Sequence, residues 1–150
     1  MTLHYSMYIN TPLSRKNVFT HLVGLIDFKI EEYPLKRGRE SLSSDKYIVY
    51  VDVPYQWDVD SCKEYGITPT IELDFAYRDT FINDNIYDSQ IKIVLLLQKI
   101  EGDVLVSFNY PILLRRDGHT IVCKDDWTPE LREFIPKPCK LVDVIDEITV

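Results

Sequence analysis

The sequence predicts an α+β fold, in which an antiparallel sheet of about six or seven strands carries two main helices packed on one face. Several short segments alternate apolar and polar residues with the period of a half-buried strand, and two longer segments carry apolar residues at helical spacing. An Asp-Gly pair between two apolar segments indicates a tight β-hairpin. The 150 residues, 45% of them hydrophobic, suffice for a single domain over 1–150 and argue against a disordered chain.

The first elements are predicted from apolar spacing. A strand is expected over 3–9, where Leu, Tyr, Met and Ile alternate with polar residues. A helix is expected over 14–26, because Ser14 is a suitable N-cap and the following residues form one apolar stripe. A weaker strand over 27–33 and a polar loop over 34–45 should follow.

The middle of the chain supplies two stronger strands and the most apolar helix. Residues 46–53 are β-branched and aromatic, which favours a strand. Residues 70–78 place apolar side chains on one face and acidic ones on the other, which predicts a sheet with one solvated face. The segment 54–69 between them is expected to be a long loop. A helix over about 86–100, ended by Gly102, should lie deep against the sheet.

The last third of the chain is expected to form strands joined by tight turns. A strand over 103–109 precedes a hairpin whose type I′ turn has Asp117 and Gly118 at its centre. Thr128 should begin a short third helix, and 139–150 should form a short tail. The predicted cross-strand pairs are Arg116 with His119, Arg115 with Thr120, Leu114 with Ile121, and Ile112 with Cys123.

The hairpin gathers residue types that also occur in catalytic sites, but the turn explains their positions. Arg115 and Arg116 are expected to be exposed near the tip. Cys123 is expected to be a small core residue on the face of Ile112, Leu114 and Ile121. A Cys–His nucleophile is not supported, because His119 and Cys123 lie roughly 13 Å apart along one strand. The alternative is a pair of arginines that contacts a partner.

The acidic charge is concentrated in the middle of the chain. Between Asp52 and Asp88 there are nine acidic and two basic residues, so this segment accounts for the whole formal net charge of −7. Such a segment disfavours nonspecific binding to DNA or anionic membranes and favours a basic protein partner. The residues expected to bind that partner are the acids and aromatics Asp52, Tyr55, Trp57, Asp58, Asp60, Glu64, Glu72 and Asp74.

Some of these residues allow other interpretations. Glu72 and Asp74 lie about 6.6 Å apart along one strand face, a spacing that suits an acid/base pair or a metal as well as a solvated or partner-facing surface. Tyr55 and Trp57 either cap the core or form an acidic-aromatic binding surface. Residues 36–39 are either a flexible loop or a phosphate contact.

Other classes of function find little support in the sequence. The chain has five glycines and no glycine-rich phosphate motif, and its three cysteines share no C-x-x-C spacing. The longest apolar run, 93–97, is far shorter than the roughly 20 residues that span a bilayer, and the first residues do not resemble a signal peptide. We therefore expect a cytosolic protein without cofactor or metal that binds neither nucleic acid nor membrane.

Several segments together resemble a known family. They are the opening LHYSMYINTPLS with its apolar helix, the central IELDFAYRD, the segment GDVLVSFN after the long helix, and ILLRRDGHTIV followed by WTPEL. This pattern resembles the immunity proteins of the Sit (swarming-inhibition) toxin-exchange systems of gliding bacteria, which also occur in other polymorphic-toxin loci. The chain departs from the family at Asn109-Tyr110, where members tend to have Asn-Gly, and in its longer, more acidic middle.

The resemblance implies an immunity-type domain that binds and neutralises one cognate toxin without catalysis. The acidic segment agrees with this function, since opposite charge accelerates the capture of a basic toxin. Two alternatives remain open. One is a small hydrolase that uses Glu72 and Asp74 with His4 or His21, and the other is an acidic mimic that blocks a nucleic-acid-binding protein.

Overall fold

The computed structural model describes residues 4–25, 40–43, 47–77, 82–108, 112–118, 120–124, 133, 135–136 and 139–142. The strands in this part of the chain are β1 (His4–Asn10), β2 (Glu40–Ser43), β3 (Tyr47–Asp52), β4 (Ile71–Tyr77), β5 (Asp103–Phe108), β6 (Ile112–Asp117), β7 (Thr120–Lys124) and β8 (Cys139–Val142). The helices are α1 (Arg15–Leu25), α2 (Gln56–Lys63) and α3 (Ile82–Lys99).

The predicted α+β class is confirmed. The described strands form one sheet in the order β2-β3-β4-β1-β5-β6-β7-β8. All neighbouring strands are antiparallel except β7 and β8, which are parallel. The two main helices, α1 and α3, pack on one face of this sheet as predicted.

The main core lies between this face and the two helices. Met7, Phe75 and Leu96, from β1, β4 and α3, are fully buried within it. Ser14 caps α1 as predicted, because its Oγ accepts a hydrogen bond from the backbone N–H of Asn17 at 3.2 Å. None of the helices in the described ranges combines the length and the apolar character needed to cross a membrane.

Two short edge strands were not predicted. Strand β2 lies within the predicted loop 34–45 and pairs with β3, and strand β8 lies within the predicted tail and pairs with β7. Both complete the hydrogen bonding of a strand whose backbone groups would otherwise have no ladder on that side. The strand predicted over 27–33 and the helix predicted from Thr128 lie outside the described residues.

The connection 54–69 is not a loop throughout, because it contains α2. The helix ends in a Schellman motif: the N–H of Gly66, at φ 75°, donates to the Lys63 carbonyl at 2.9 Å, and that of Ile67 donates to the Cys62 carbonyl at 3.1 Å. Cys62 and Ile67 are buried against Leu105 of β5, in a second, smaller core. Helix α2 therefore covers part of the sheet face opposite α1 and α3, which was predicted to be solvated.

The turn of the β6–β7 hairpin lies one residue later than predicted, so the cross-strand partner of each β6 residue is two residues further along β7. Asp117 pairs with Thr120 and Leu114 with Cys123, so Asp117 belongs to the strand and not to the centre of the turn. Gly118 has the predicted positive φ, 62°, and its N–H donates to the Asp103 carboxylate at 2.8 Å. This contact from the neighbouring β5 strand favours the observed register.

The two hairpin arginines lie on opposite faces of the sheet and are buried, with 5% and 6% of Arg115 and Arg116 exposed. The predicted exposed arginine pair is therefore wrong. Arg115 lies on the face of the sheet that carries α2. Its Nη2 lies 3.5 Å from the carboxylate of Asp117, two residues further along β6. Arg116 lies on the main core face.

Cys123 is fully buried in the main core with Leu114 and Ile121, as predicted. Ile112 is not on that face. The β5–β6 register shifts between Val106 and Ser107, so Ile112 pairs with Ser107 and packs against the second core.

Candidate functional site

A cleft of about 640 Å³ opens between α2 and the second face of the sheet. Its floor is formed by alternate residues of β1 and β4, which the antiparallel register brings side by side. Ser6 pairs with Asp74, and Tyr8 pairs with Glu72. Because β1 and β4 are central strands, these side chains lie in the middle of the sheet.

Hydrogen bonds fix the polar groups of the floor and tie them to the helix. The Ser6 hydroxyl donates to the Asp74 carboxylate at 2.8 Å. The Tyr8 hydroxyl donates to the carboxylate of Asp58, on the first turn of α2, at 3.3 Å. The cleft is thus bounded by groups that hold one another in place.

Two stacked aromatic rings stand beside the cleft at the start of α2. The ring centroids of Tyr55 and Trp57 are 4.8 Å apart, and the ring planes are inclined by 17°. Both residues line the cleft, yet Trp57 is 67% exposed. Trp57 therefore does not cap the core, which was one of the two interpretations of this pair.

Glu72 is the most unusual group in the cleft, because only 6% of this acidic residue is exposed. Burial, the negative charges of Asp74 and Asp58, a hydrogen bond with Asp74 and the charge of Asp52 together raise the pKa of Glu72 to about 8. The Glu72 carboxyl is therefore largely protonated at neutral pH.

The pKa values of several neighbours of Glu72 are also raised. Burial, followed by the charges of Glu72 and Asp58, raises the pKa of the Tyr8 hydroxyl. Burial, followed by the charges of Asp58 and Glu72, raises the pKa of the Cys62 thiol to about 12. Burial also raises the pKa of Asp58, against a hydrogen bond from Tyr8. Negative charge in the cleft is thus costly, and a bound cation would relieve that cost.

The structure brings together most of the residues that were predicted to bind a partner. Asp52 and Asp60 do not line the cleft. Asp52 is buried next to Glu72 in the β3–β4 register, and Asp60 lies on the exposed side of α2, where it accepts a hydrogen bond from Gln56 at 2.9 Å. The predicted residues that line the cleft are Tyr55, Trp57, Asp58, Glu64, Glu72 and Asp74.

Several residues of the cleft were not predicted. Some of them lie within the acidic segment or next to it, and the others come from strands that are distant along the chain and reach the site only through the order of the sheet. The alternation of β1 places Ser6 and Tyr8 on the face opposite the core residues. Knowledge that β1 pairs with β4 would have identified both as neighbours of Glu72 and Asp74. The unpredicted lining residues are Ser6, Tyr8, Tyr50, Ser61, Cys62, Tyr65, Ala76, Leu105, Ser107 and Ile112.

The geometry permits binding of a cation and, in principle, proton transfer. A protonated Glu72 beside the Asp74 carboxylate has the composition of an acid/base pair. His21 cannot join it, because α1 packs on the other face of the sheet. The side chain of His4 and residues 36–39 lie outside the described part. Within the described ranges, no group of three or more His, Cys, Asp or Glu side chains is arranged to hold a metal ion.

Comparisons with known proteins assign no family to the chain. No protein-family model, curated protein or solved structure matches the chain.

Proposed function

We propose that the protein is an immunity-type domain that works in the cytosol, where it binds and neutralises a cognate toxin by occluding it, without catalysis. The observation that carries this proposal is the composition of the cleft. Its charged lining residues among the described part of the chain are all acidic: Asp58, Glu64, Glu72 and Asp74.

Electrostatics and packing give the cleft two complementary roles in binding. The acidic residues attract a basic surface and accelerate encounter. The exposed Trp57, stacked on Tyr55, offers the kind of aromatic anchor that commonly dominates the affinity of protein interfaces. Part of the acidic lining lies on a central strand, and the aromatic pair lies at the start of α2, which packs on the sheet through Cys62, so that little order has to be gained on binding.

The first experiment asks whether the protein protects a cell. The product of the gene immediately upstream, or its C-terminal domain, is expressed in a bacterial host with and without this protein. Growth should be restored by co-expression, and the two proteins should co-purify. A partner that proves to be a nucleic-acid-binding protein without toxicity would support the acidic mimic instead.

The second experiment compares two acids of α2 that differ in position. Asp58→Lys reverses a charge within the cleft, and Asp60→Lys makes the same change on the exposed side of the helix. We expect the association rate constant to fall about tenfold for Asp58→Lys and much less for Asp60→Lys. Equal effects of the two changes, with both folds intact, would place the contact surface elsewhere.

The third experiment tests the aromatic anchor. Trp57→Ala should raise the dissociation rate constant by at least about tenfold and leave the association rate nearly unchanged. Because Trp57 is exposed in the unbound protein, the thermal unfolding of the variant should match that of the wild type. An unchanged dissociation rate would exclude Trp57 from the interface.

A small hydrolase is the second candidate, favoured by the raised pKa of Glu72 next to Asp74. Under this alternative, hydrolysis of a small substrate should depend on both carboxyl groups and decrease as Glu72 loses its proton above pH 8. A screen of ester, phosphate and glycoside substrates tests it, with Asp74→Asn and Glu72→Gln as controls. Any turnover that survives both substitutions comes from another source.

A further inference from the structure

The cleft has the size of a ligand site and not of a packing defect. Its volume of about 640 Å³ lies within the range of roughly 300–1,000 Å³ that is typical of ligand pockets. It is lined by both aromatic and polar side chains, and its floor lies on central strands. A loop of a partner protein could therefore enter it.

The floor of the cleft holds a buried carboxyl group whose charged neighbours, among the residues that the structure describes, are all acidic. Asp74, Asp58 and Asp52 act on Glu72, and all three raise its pKa. Buried carboxylates are normally compensated by a cation or by several N–H donors, because an uncompensated buried charge is strongly unfavourable. In the described residues the protein supplies no such cation to Glu72, and the cleft leaves space for one from outside.

The arrangement of acceptors favours arginine over lysine. Asp58, Glu72 and Asp74 line the same cleft, and Glu72 and Asp74 lie two residues apart on one face of β4. A guanidinium has five N–H donors in a planar fork that matches carboxylates, remains charged when desolvated, and stacks on aromatic rings. A lysine ammonium offers three donors, is strongly hydrated and readily loses its proton when buried.

We propose that the cleft is the receptor for an arginine side chain carried on a loop of the toxin, with the guanidinium bound by Glu72 and Asp74. The residues that flank this arginine pack against Tyr55 and Trp57. The inference rests on the proposed function, because it assumes that the partner is a protein that this domain occludes.

Binding of a guanidinium should also change the protonation state of Glu72. The groups that face Glu72 are Tyr8 of β1, Asp52 of β3, Asp74 of β4, and Asp58 and Cys62 of α2. None of these groups carries a positive charge. A guanidinium beside Glu72 lowers its pKa from about 8 and releases its proton at neutral pH, so affinity should rise as the pH increases from 6 to 8.5.

The probe for this site is a short peptide, acetyl-Gly-Arg-Gly-amide, added to the full-length protein. Its two controls are the same peptide with citrulline, which keeps the shape but has no charge, and with lysine. Chemical shifts in NMR spectra report both the affinity and the location of binding. We expect millimolar binding that perturbs the cleft, at least tenfold weaker binding of citrulline, and intermediate binding of lysine. Equal binding of the arginine and citrulline peptides, perturbations elsewhere, or no binding would overturn the proposal.

Variants separate the role of Glu72 from a general effect of acidic charge. Glu72→Gln and Asp74→Asn should each weaken binding of the arginine peptide at least tenfold at pH 8, and Glu72→Gln should also remove most of its pH dependence. Asp60→Asn, outside the cleft, should leave both unchanged. A pH dependence that persists in Glu72→Gln would contradict the assignment of the released proton.

Different results would contradict the arginine site and the immunity function. If the toxin binds and protection occurs, but Glu72→Gln and Asp74→Asn leave both unaffected, the arginine site is wrong and the immunity function stands. If the arginine peptide binds in the cleft but no toxin is neutralised, the site stands and the immunity function is wrong.

Discussion

Two buried ionisable residues, one on each face of the sheet, have opposite surroundings: one is compensated by its neighbours and the other is not. Arg116 lies on the main core face, where it donates hydrogen bonds to the carbonyls of Leu97, Ile100 and Gly102 at 2.7, 2.5 and 2.7 Å. Glu72 lies on the other face, beneath α2, and is surrounded by acids. The two residues are equally buried, with 6% exposed in each case.

The difference concerns what each of the two residues contributes to stability. Carbonyl groups at the C-terminal end of a helix lack donors within the helix, and the guanidinium of Arg116 supplies them at the end of α3. This charge is compensated within the protein and stabilises the fold. Glu72 receives no such compensation from the described residues, so its burial destabilises the ionised form. A sheet face that keeps an unfavourable group in an open cleft is better explained by binding than by stability.

The largest loss of stability is expected from removal of Arg116, the compensated charge. Arg116→Met leaves three carbonyls without their donors, so the free energy of unfolding should fall by about 3 kcal/mol. Urea denaturation measures this change. Lys99→Met is the matched control at the same end of α3, where the exposed side chain should contribute less than about 0.5 kcal/mol. A loss of similar size in both variants would mean that the Arg116 contacts do not stabilise the helix end.

Removing the ionisable carboxyl group of Glu72 should have the opposite effect and raise the free energy of unfolding. The Glu72 carboxyl loses its proton near pH 4.5 in the unfolded chain and near pH 8 in the folded protein. The unfolded state therefore releases the proton first, and the wild type should lose stability as the pH rises from about 4.5 to about 8. Glu72→Gln removes this loss and should be more stable than the wild type at pH 9, by at most about 5 kcal/mol.

At pH 4 the Glu72→Gln variant and the wild type should unfold at nearly the same urea concentration, because both side chains are then neutral. Asp60→Asn provides the control for general charge effects, since it removes one exposed acid from α2. If Glu72→Gln destabilises the protein at pH 9, Glu72 has a favourable partner and the contrast with Arg116 does not hold.

A smaller effect concerns the turn that joins β6 to β7. Gly118 has a positive φ of 62°, whereas Gly24 lies in α1, and an added Cβ would meet no atom within 4 Å at either position. Gly118→Ala should therefore lower the free energy of unfolding by about 1 kcal/mol through backbone strain alone. Gly24→Ala should raise it by about 0.5 kcal/mol. The same sign for both changes in thermal unfolding would refute the conformational explanation.

The main core could be predicted from the sequence because its signals are local. Ile71, Leu73 and Phe75 alternate with acids and therefore identify both the strand and its apolar face. The stripe of α1 and the apolar run of α3 likewise follow from spacing of four residues or fewer. These patterns are sufficient for the fold class, because each element must bury its apolar side against another.

The second face could not be predicted in the same way. Helix α2 has no continuous apolar stripe, since Trp57 is exposed and Cys62 is its only buried residue. Its recognisable signal lies at its end, where Gly66 and Ile67 follow Cys62 at the spacing of a Schellman motif. Six of the eight predicted partner-binding residues line the cleft, but Tyr8 joins them only through a strand pairing between residues 64 positions apart.

The alternation of β4 has a consequence for how recognition can be altered. Glu72 and Asp74 reach the cleft, and Leu73 and Phe75, their neighbours along the strand, reach the main core. Substitutions at positions 72 and 74 therefore act on one face, and substitutions at 71, 73 and 75 act on the other. A library randomised only at positions 72 and 74 would retain the apolar packing, and new binding specificities could be selected from it without redesign of the fold.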